Sequence, residues 1–259
     1  MATGSLRISN ETAYDASAAR WGRSVSKRVV LNAGSGYGRR NERFARFLGL
    51  TAGARVIEFG CGMGTLTLAL AALGCRVTAT DISQVQLDLL EENAKALGLA
   101  DRLQIEKAEP GSLPSRWHEA FEFAVTSSVL HHVEDPFGFV RDMKRSVKPG
   151  GWCGGLEPNA ASPIARLIQE LGFWLPGYVL ANRSAERNFH TSTVRRLRAY
   201  ATHADLRNVD VVKADLFPRP LLSLVPLLHP VEDTLTSSRL IRPLCITLFW
   251  KGQKEPWLA

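Results

Sequence analysis

The sequence predicts an α/β fold built on a doubly wound, mostly parallel sheet of seven strands. From residue 55 onward, short apolar runs alternate with longer segments of helical periodicity, which is typical of parallel strands joined by crossover helices. A glycine-rich turn directly follows the first apolar run. The length of 259 residues is enough for one such domain with additions, and too short for two full domains.

Each element is predicted from the periodicity of its segment. The predicted strands cover residues 55–59, 76–80, 103–107, 121–126, 152–156, 209–213 and 244–251. Helices are predicted over residues 66–73, 84–97, 137–147 and 194–204, with Ser83 capping the second and Pro149 and Gly150 ending the third.

Residues 1–50 are predicted to form an N-terminal helical cap, and residues 51–259 the α/β domain. Glycines at 34, 36 and 38 follow no strand and are interpreted as a hinge within the cap. Two insertions, at about 158–190 and 214–243, are rich in leucine, proline and aromatic residues. We expect them to form a lid over an apolar acceptor pocket that includes Phe217, because insertions at this edge of an open sheet overhang the ligand crevice. The alternative is that they only pack on the sheet.

The charge balance, with 32 basic and 25 acidic residues and a net charge of +7, raises the question of a nucleic-acid partner. The basic residues are spread along the chain without interleaved aromatic residues, which favours solvated helix faces, so no nucleic-acid partner is expected. The four cysteines form no CxxC pair, and no metal site is expected. Without an 18-residue apolar run or a signal peptide, a cytoplasmic location is expected. A weak membrane-surface contact through residues 221–228, and a monomer or a homodimer, stay open.

The turn after the first strand reads Glu58-Phe-Gly-Cys-Gly-Met-Gly64. A dinucleotide fingerprint, G-x-G-x-x-G, would need a glycine where Thr65 stands, so a pyrophosphate site is disfavoured. The glycines are expected to let the backbone approach a ligand closely. The carboxylate of Glu58 would repel a diphosphate and suits a ligand with an ammonium group.

Acidic residues also follow the next two strands. Asp81 ends the second strand, where a carboxylate can accept hydrogen bonds from both ribose hydroxyls. Glu109 follows the third strand, within reach of an adenine amino group. A single acid at such a place would be read as a helix cap or a surface charge. Three acids at three successive strand ends favour a nucleoside cofactor.

These motifs, together with the segment 121–133 and Lys148-Pro-Gly-Gly151, resemble the class I S-adenosylmethionine-dependent methyltransferases of the small-molecule branch. The resemblance implies a Rossmann-like, doubly wound seven-stranded sheet with an antiparallel last strand. It also implies S-adenosyl-L-methionine as cofactor, with Glu58 near the methionine ammonium, Asp81 at the ribose and Glu109 at the adenine amine. The cofactor-binding set that we assign on this basis is Tyr14, Trp21, Glu58, Gly60, Cys61, Gly62, Gly64, Asp81, Ile82, Glu109, Pro110 and Ser127.

Three positions depart from the family pattern. Glu109 and Glu122 stand where the family usually has aspartate. Pro110 lacks the backbone N–H that commonly binds the adenine ring in the family, so adenine recognition is expected to shift to a neighbouring residue.

The reaction implied is methyl transfer to a small or medium-sized, partly apolar acceptor, as in secondary metabolism. An oxygen acceptor of high pKa needs a base, and histidine is the natural one near neutral pH. His131 and His132 follow the fourth strand, and Glu157 ends the fifth, so we expect His131 to be the base and Glu157 to orient it. A purely structural histidine pair is the alternative. C- or N-methylation, a non-catalytic cofactor-binding protein and a nicotinamide oxidoreductase also stay open.

Overall fold

The computed structural model describes Asp15 and residues 36–109, 111–172, 190–218, 221–222, 225 and 227–256. The strands are β1 (Arg55–Phe59), β2 (Arg76–Asp81), β3 (Leu103–Lys107), β4 (Phe121–Ser127), β5 (Val147–Pro158), β6 (Arg207–Ala214) and β7 (Thr247–Gln253). The helices are α1 (Gly36–Leu48), α2 (Thr65–Ala72), α3 (Gln84–Ala96), α4 (Pro136–Ser146), α5 (Pro163–Gly172), α6 (Val194–His203) and α7 (Leu228–Ser237).

The strands form one sheet in the order β3-β2-β1-β4-β5-β7-β6. β7 runs antiparallel to β5 and to β6, and the other neighbouring pairs run parallel. The predicted doubly wound sheet with an antiparallel last strand is therefore confirmed. The chain reverses its direction of winding between β1 and β4, and ligands of open α/β sheets bind beyond the carboxyl ends of the strands at such a point.

Neighbouring residues of each strand point to opposite faces of the sheet. Apolar side chains therefore lie on both faces, and helices cover both of them. In β7, Phe249 packs in the core that includes Phe44 of α1. The next residue, Trp250, packs in the opposite core with Met143 of α4 and Leu197 of α6. All five side chains are at most 3% exposed, so the two cores fix the sheet from both sides.

β5 begins at Val147, five residues earlier than predicted, directly after the end of α4. Val147 is fully buried and pairs with Phe121 of β4, and the register then shifts before Phe123. Pro149 and Gly150 therefore lie inside an irregular strand. Burial of Val147 outweighs the helix continuation that the local sequence predicted.

The hinge interpretation is wrong for Gly36 and Gly38, which belong to the first turn of α1. The far half of this helix buries Phe44 and Leu48 against the sheet. Tertiary packing of that apolar face overrides the weak helix propensity of the glycines.

α5 and α7 lie in the two predicted insertions. The second insertion starts and ends at the carboxyl edge of the sheet, because Ile246 N donates to Asp215 O (2.7 Å) and Asn159 N donates to Ile246 O (2.8 Å). It therefore leaves and rejoins the sheet beside the end of β5. Within the described ranges, no helix is both long and apolar enough to cross a membrane. The division into a cap, a domain and lids stays a prediction.

Candidate active site

The glycine turn connects β1 to α2 at the carboxyl edge of the sheet. Gly60, Gly62 and Gly64 have φ values of 69°, 54° and 84°, in the left-handed region that favours glycine. Gly60 N and Cys61 N both donate to Thr80 O, at 2.8 and 2.9 Å, which ties the turn to the end of β2.

Contacts within the protein supply a reason for these glycines besides the expected approach of a ligand. A Cβ on Gly60 would lie 2.6 Å from Val129 Cγ2, and one on Gly64 would lie 2.3 Å from Leu90 Cδ1. The turn thus needs glycine because of its contacts within the protein, whether or not a ligand also approaches it. The contact with Val129 also places this turn against the turn that follows β4.

Glu58 lies on β1 with its carboxyl group buried and 1% of the residue exposed. Thr67 Oγ1 of α2 donates a hydrogen bond of 2.5 Å to Glu58 Oε2. Burial, opposed by the Thr67 hydrogen bond and reinforced by the nearby charge of Asp81, raises the pKa of Glu58 from its ordinary value of 4.5 to about 8. A cationic ligand beside Glu58 would stabilise the ionised form of this carboxyl group, and the resulting attraction would favour binding of the ligand.

Asp81 ends β2 and holds the glycine turn from the other side. Its Oδ2 accepts a hydrogen bond from Gly62 N (2.8 Å) and its Oδ1 accepts one from Ser83 N (2.9 Å). Burial raises the pKa of Asp81, although these backbone hydrogen bonds oppose the shift. Asp15 also accepts a hydrogen bond from Ser83 Oγ, the side chain that follows Asp81 by two residues.

The other assigned residues are spread around the same edge. Cys61 is buried within the turn, and Ile82 follows Asp81 directly. Ser127 is the last residue of β4, and Glu109, two residues beyond β3, is exposed. Tyr14, Trp21 and Pro110 lie outside the described residues. The roles of all these residues stay predictions.

The structure brings His131 and Glu157 together. Glu157 Oε2 lies 2.6 Å from His131 Nδ1, and the two residues are 1% and 3% exposed or less. Burial alone would raise the pKa of Glu157, but the charge and hydrogen bond of His131, with two backbone N–H groups, lower it. Glu157 is therefore an ionised carboxylate beside the ring of His131. The ring of His132 lies against that of His131, with centroids 3.8 Å apart and the ring planes tilted by 46°.

Glu157 also fixes the turn that carries His131. Its Oε1 accepts hydrogen bonds from Val129 N (3.0 Å) and Leu130 N (2.9 Å). In the same turn, Ser128 has a φ of 59°, and its N–H donates to Leu156 O at 2.7 Å. A serine in the left-handed region costs free energy, and such strain concentrates at functional sites.

Sequence reasoning missed three polar side chains at this edge. Thr67 has a weak signal, since it lies on the helix after the glycine turn, nine residues from its partner Glu58. Ser192 Oγ donates to Glu157 Oε2 at 3.3 Å across 35 residues, and no pattern predicts that contact. Arg40 of α1 is 4% exposed and lies beside Asn41, whose Nδ2 donates to Thr65 O (2.8 Å). It brings a buried cation to the start of α2.

Comparison with known proteins agrees with this geometry. The model of a family described as a methyltransferase domain matches residues 31–211, more than two thirds of the chain. The chain belongs to the class I S-adenosylmethionine-dependent methyltransferases. The predicted family and its cofactor are thereby confirmed, and Glu58, the glycine turn and Asp81 lie within the matched residues.

Curated relatives of this methyltransferase include a ubiquinone biosynthesis O-methyltransferase of Bordetella avium, 33% identical over 141 residues, which are 54% of this chain and 56% of the relative. The chain spans about half the length of the curated relatives it matches.

Two solved structures share the fold. The [4+2]-cyclase SpnF is 20% identical, with a TM-score of 0.58 over 84% of this chain and 81% of that one. A geranyl diphosphate C-methyltransferase of Streptomyces coelicolor is 18% identical, with a TM-score of 0.58 over 84% and 78% of the two chains. Proteins named for different reactions share this fold, so the reaction has to be argued from the site.

Gly60→Ala is expected to lower the free energy of unfolding by about 1–3 kcal/mol more than Gly98→Ala, because only the first introduces overpacking. Both glycines have positive φ, at 69° and 66°, but a Cβ on Gly98 meets nothing within 4 Å. Urea denaturation measures both variants. Equal losses would show that the Val129 contact relaxes freely.

Glu58→Gln is expected to flatten the pH dependence of stability. The pKa of Glu58 is raised in the folded state to about 8, so the folded state holds the proton more tightly than the unfolded state. Stability from this group is full below its ordinary pKa of 4.5 and is lost as the pH rises through 8. Between pH 5 and 8 the wild type should lose about 1.4 kcal/mol per pH unit more than Glu58→Gln in urea denaturation. Parallel curves would contradict a protonated Glu58.

Proposed function

We propose that this chain uses S-adenosylmethionine to methylate a hydroxyl group of a small or medium-sized, partly apolar acceptor. The observation that carries the proposal is the buried His131–Glu157 pair, 2.6 Å apart, in a turn that packs against the glycine turn. An acid-base pair beside a nucleoside site suits removal of a proton from an acceptor hydroxyl.

The residues around the glycine turn fit this cofactor. Glu58 offers a buried carboxyl group that a ligand ammonium would ionise, and Asp81 offers carboxylate lone pairs to ribose hydroxyls. The buried guanidinium of Arg40, near the start of α2, is suited to a ligand carboxylate. When bound, S-adenosylmethionine supplies an electrophilic methyl group on a sulfonium.

His131 is proposed to hold the acceptor proton. Its Nδ1 faces the Glu157 carboxylate and donates to it, so the proton-accepting nitrogen is Nε2. Because the pKa of Glu157 is lowered, the carboxylate stays charged and stabilises the imidazolium that forms when Nε2 takes the proton. The rest of the acceleration comes from holding the acceptor close, aligned and dry.

The apolar character of the acceptor is inferred from the insertions. Among the described residues, the exposed large apolar side chains concentrate there, and Leu167, Leu227 and Leu240 are 54%, 83% and 88% exposed. The Bordetella relative is named for ubiquinone biosynthesis and for O-methylation, which supports an aromatic hydroxyl on an apolar molecule as the acceptor. We propose that the lid and the acceptor pocket lie at the carboxyl edge of the sheet, where the second insertion begins and ends.

Isothermal titration should show binding of S-adenosylmethionine and of its demethylated product, and none of NADH. Asp81→Asn should weaken both bindings by about tenfold or more, because the variant loses a charged acceptor for the ribose hydroxyls. Asp88→Asn, at an exposed carboxylate of α3, is the control and should bind as the wild type does. Binding of NADH alone would instead support the nicotinamide oxidoreductase.

His131→Ala and Glu157→Gln should each lower kcat by about 10²–10⁴-fold, with cofactor affinity nearly unchanged. The assay follows methyl transfer from labelled S-adenosylmethionine to a series of ortho-diphenols with alkyl chains of increasing length. His132→Ala is the matched control for the neighbouring ring. Full activity in both histidine variants would remove the base from the proposal, and labelled product carrying the methyl group on carbon or nitrogen would overturn O-methylation.

A further inference from the structure

Five charged side chains join α1 to the second insertion. Arg43 Nη1 of α1 lies 3.2 Å from Asp215 Oδ1, directly after β6, and 3.5 Å from Glu232 Oε2 of α7. One turn earlier in α1, Arg39 pairs with Asp233 of α7. Asp215 and Glu232 are both only 2% exposed, whereas Asp233, whose Oδ1 lies 4.0 Å from the same Arg43 nitrogen, is half-exposed. Arg43 is therefore shared by three carboxyl groups, two of which are buried.

Glu232 also holds the backbone at the start of the insertion. Its Oε1 accepts hydrogen bonds from Leu216 N (2.7 Å) and Phe217 N (2.9 Å), while its Oε2 faces Arg43. Glu232 thus connects Arg43 to the backbone amide of Phe217. The sequence analysis predicts that Phe217 belongs to the acceptor pocket. Removing one partner of a buried charged cluster leaves the other charges without compensation. The resulting loss in the free energy of unfolding is much larger than the contribution of an exposed ion pair.

The same helix reaches the cofactor turn. Asn41 Nδ2 donates to Thr65 O at 2.8 Å, at the first residue of α2 after the glycine turn. Phe44 anchors α1 in the core against Phe249, with ring centroids 5.6 Å apart. Within two turns, α1 therefore contacts the start of α2, the sheet and the base of the insertion.

We propose that Arg43 is a positioning residue: it holds residues 214–218 and α7 against α1 and thereby places Phe217 at the acceptor side of the crevice. Arg43 acts through Glu232 and touches neither substrate. The part of this inference that concerns the acceptor rests on the proposed function. The attachment of the insertion to α1 does not.

Hydrogen exchange tests the attachment without any acceptor. The protein is saturated with S-adenosylhomocysteine, and exchange is followed in peptides that cover residues 214–237. Arg43→Met should speed exchange of the Leu216 and Phe217 amides by about tenfold or more, because their acceptor Glu232 loses its cation. Arg46→Met, an exposed arginine of the same helix, should leave these amides unchanged. Unchanged exchange in Arg43→Met would overturn the inference.

A second variant covers the case in which Arg43→Met does not fold. Glu232→Gln keeps the shape of the side chain and an oxygen for the two amides but removes the charge that faces Arg43. It should speed exchange less than Arg43→Met, and Arg43→Lys should restore most of the protection. Loss of protection in Arg43→Lys equal to that in Arg43→Met would show that the charge is not what holds the insertion.

Kinetics then test the positioning role. With the diphenol acceptors, Arg43→Met should raise the acceptor KM about tenfold while kcat and the cofactor Kd stay within about twofold. An unchanged KM in a variant with faster exchange would overturn the positioning role. If the wild type methylates no acceptor, the proposed function fails, and the exchange experiment still decides the attachment.

Discussion

The carboxylate of Glu157 is the group on which the geometry of the crevice depends. It is 1% exposed and accepts hydrogen bonds from two backbone amides of the turn after β4, from His131 Nδ1 and from Ser192 Oγ. A buried charge is tolerated only when its hydrogen-bond partners replace water, and here four donors do so. Because the same turn places Val129 against Gly60, this carboxylate also sets the distance between the turn that carries His131 and the cofactor turn.

Two buried glutamates in one crevice have opposite preferences for their proton. Both are 1% exposed, yet the pKa of Glu58 is raised to about 8 and that of Glu157 is lowered. The side-chain partner of Glu58 is a neutral threonine hydroxyl and its charged neighbour is Asp81, whereas Glu157 faces an imidazole. The identity of the partner therefore decides the outcome, since burial pushes both pKa values upward. One end of the crevice favours a cationic ligand, and the other keeps the Glu157 carboxylate ionised beside the ring of His131.

The sequence predicts the residues at strand ends well and the contacts between distant segments poorly. Asp81 and Glu157 could be placed at one edge because the carboxyl ends of parallel strands meet there. The contact of Ser192 with Glu157, and that of Arg43 with Asp215 across 172 residues, depend on how insertions without a clear period fold back. The spacing of the glycine turn predicts the turn itself, but the packing of Gly60 against Val129 and of Gly64 against Leu90, which also requires glycine there, follows from no local pattern.

In the proposed arrangement, α1 supports both the cofactor side and the acceptor side of the crevice. This shared support has a physical consequence for methyl transfer. In-line displacement needs donor and acceptor aligned within a few tenths of an ångström, so independent motion of their two sites would lower the fraction of aligned pairs. α1 contacts the start of α2 through Asn41 and the second insertion through Arg43, and Phe44 fixes the helix to the sheet. In the proposed arrangement, α1 therefore joins the cofactor side of the crevice to the acceptor side directly, in addition to the two ends through which the insertion joins the sheet.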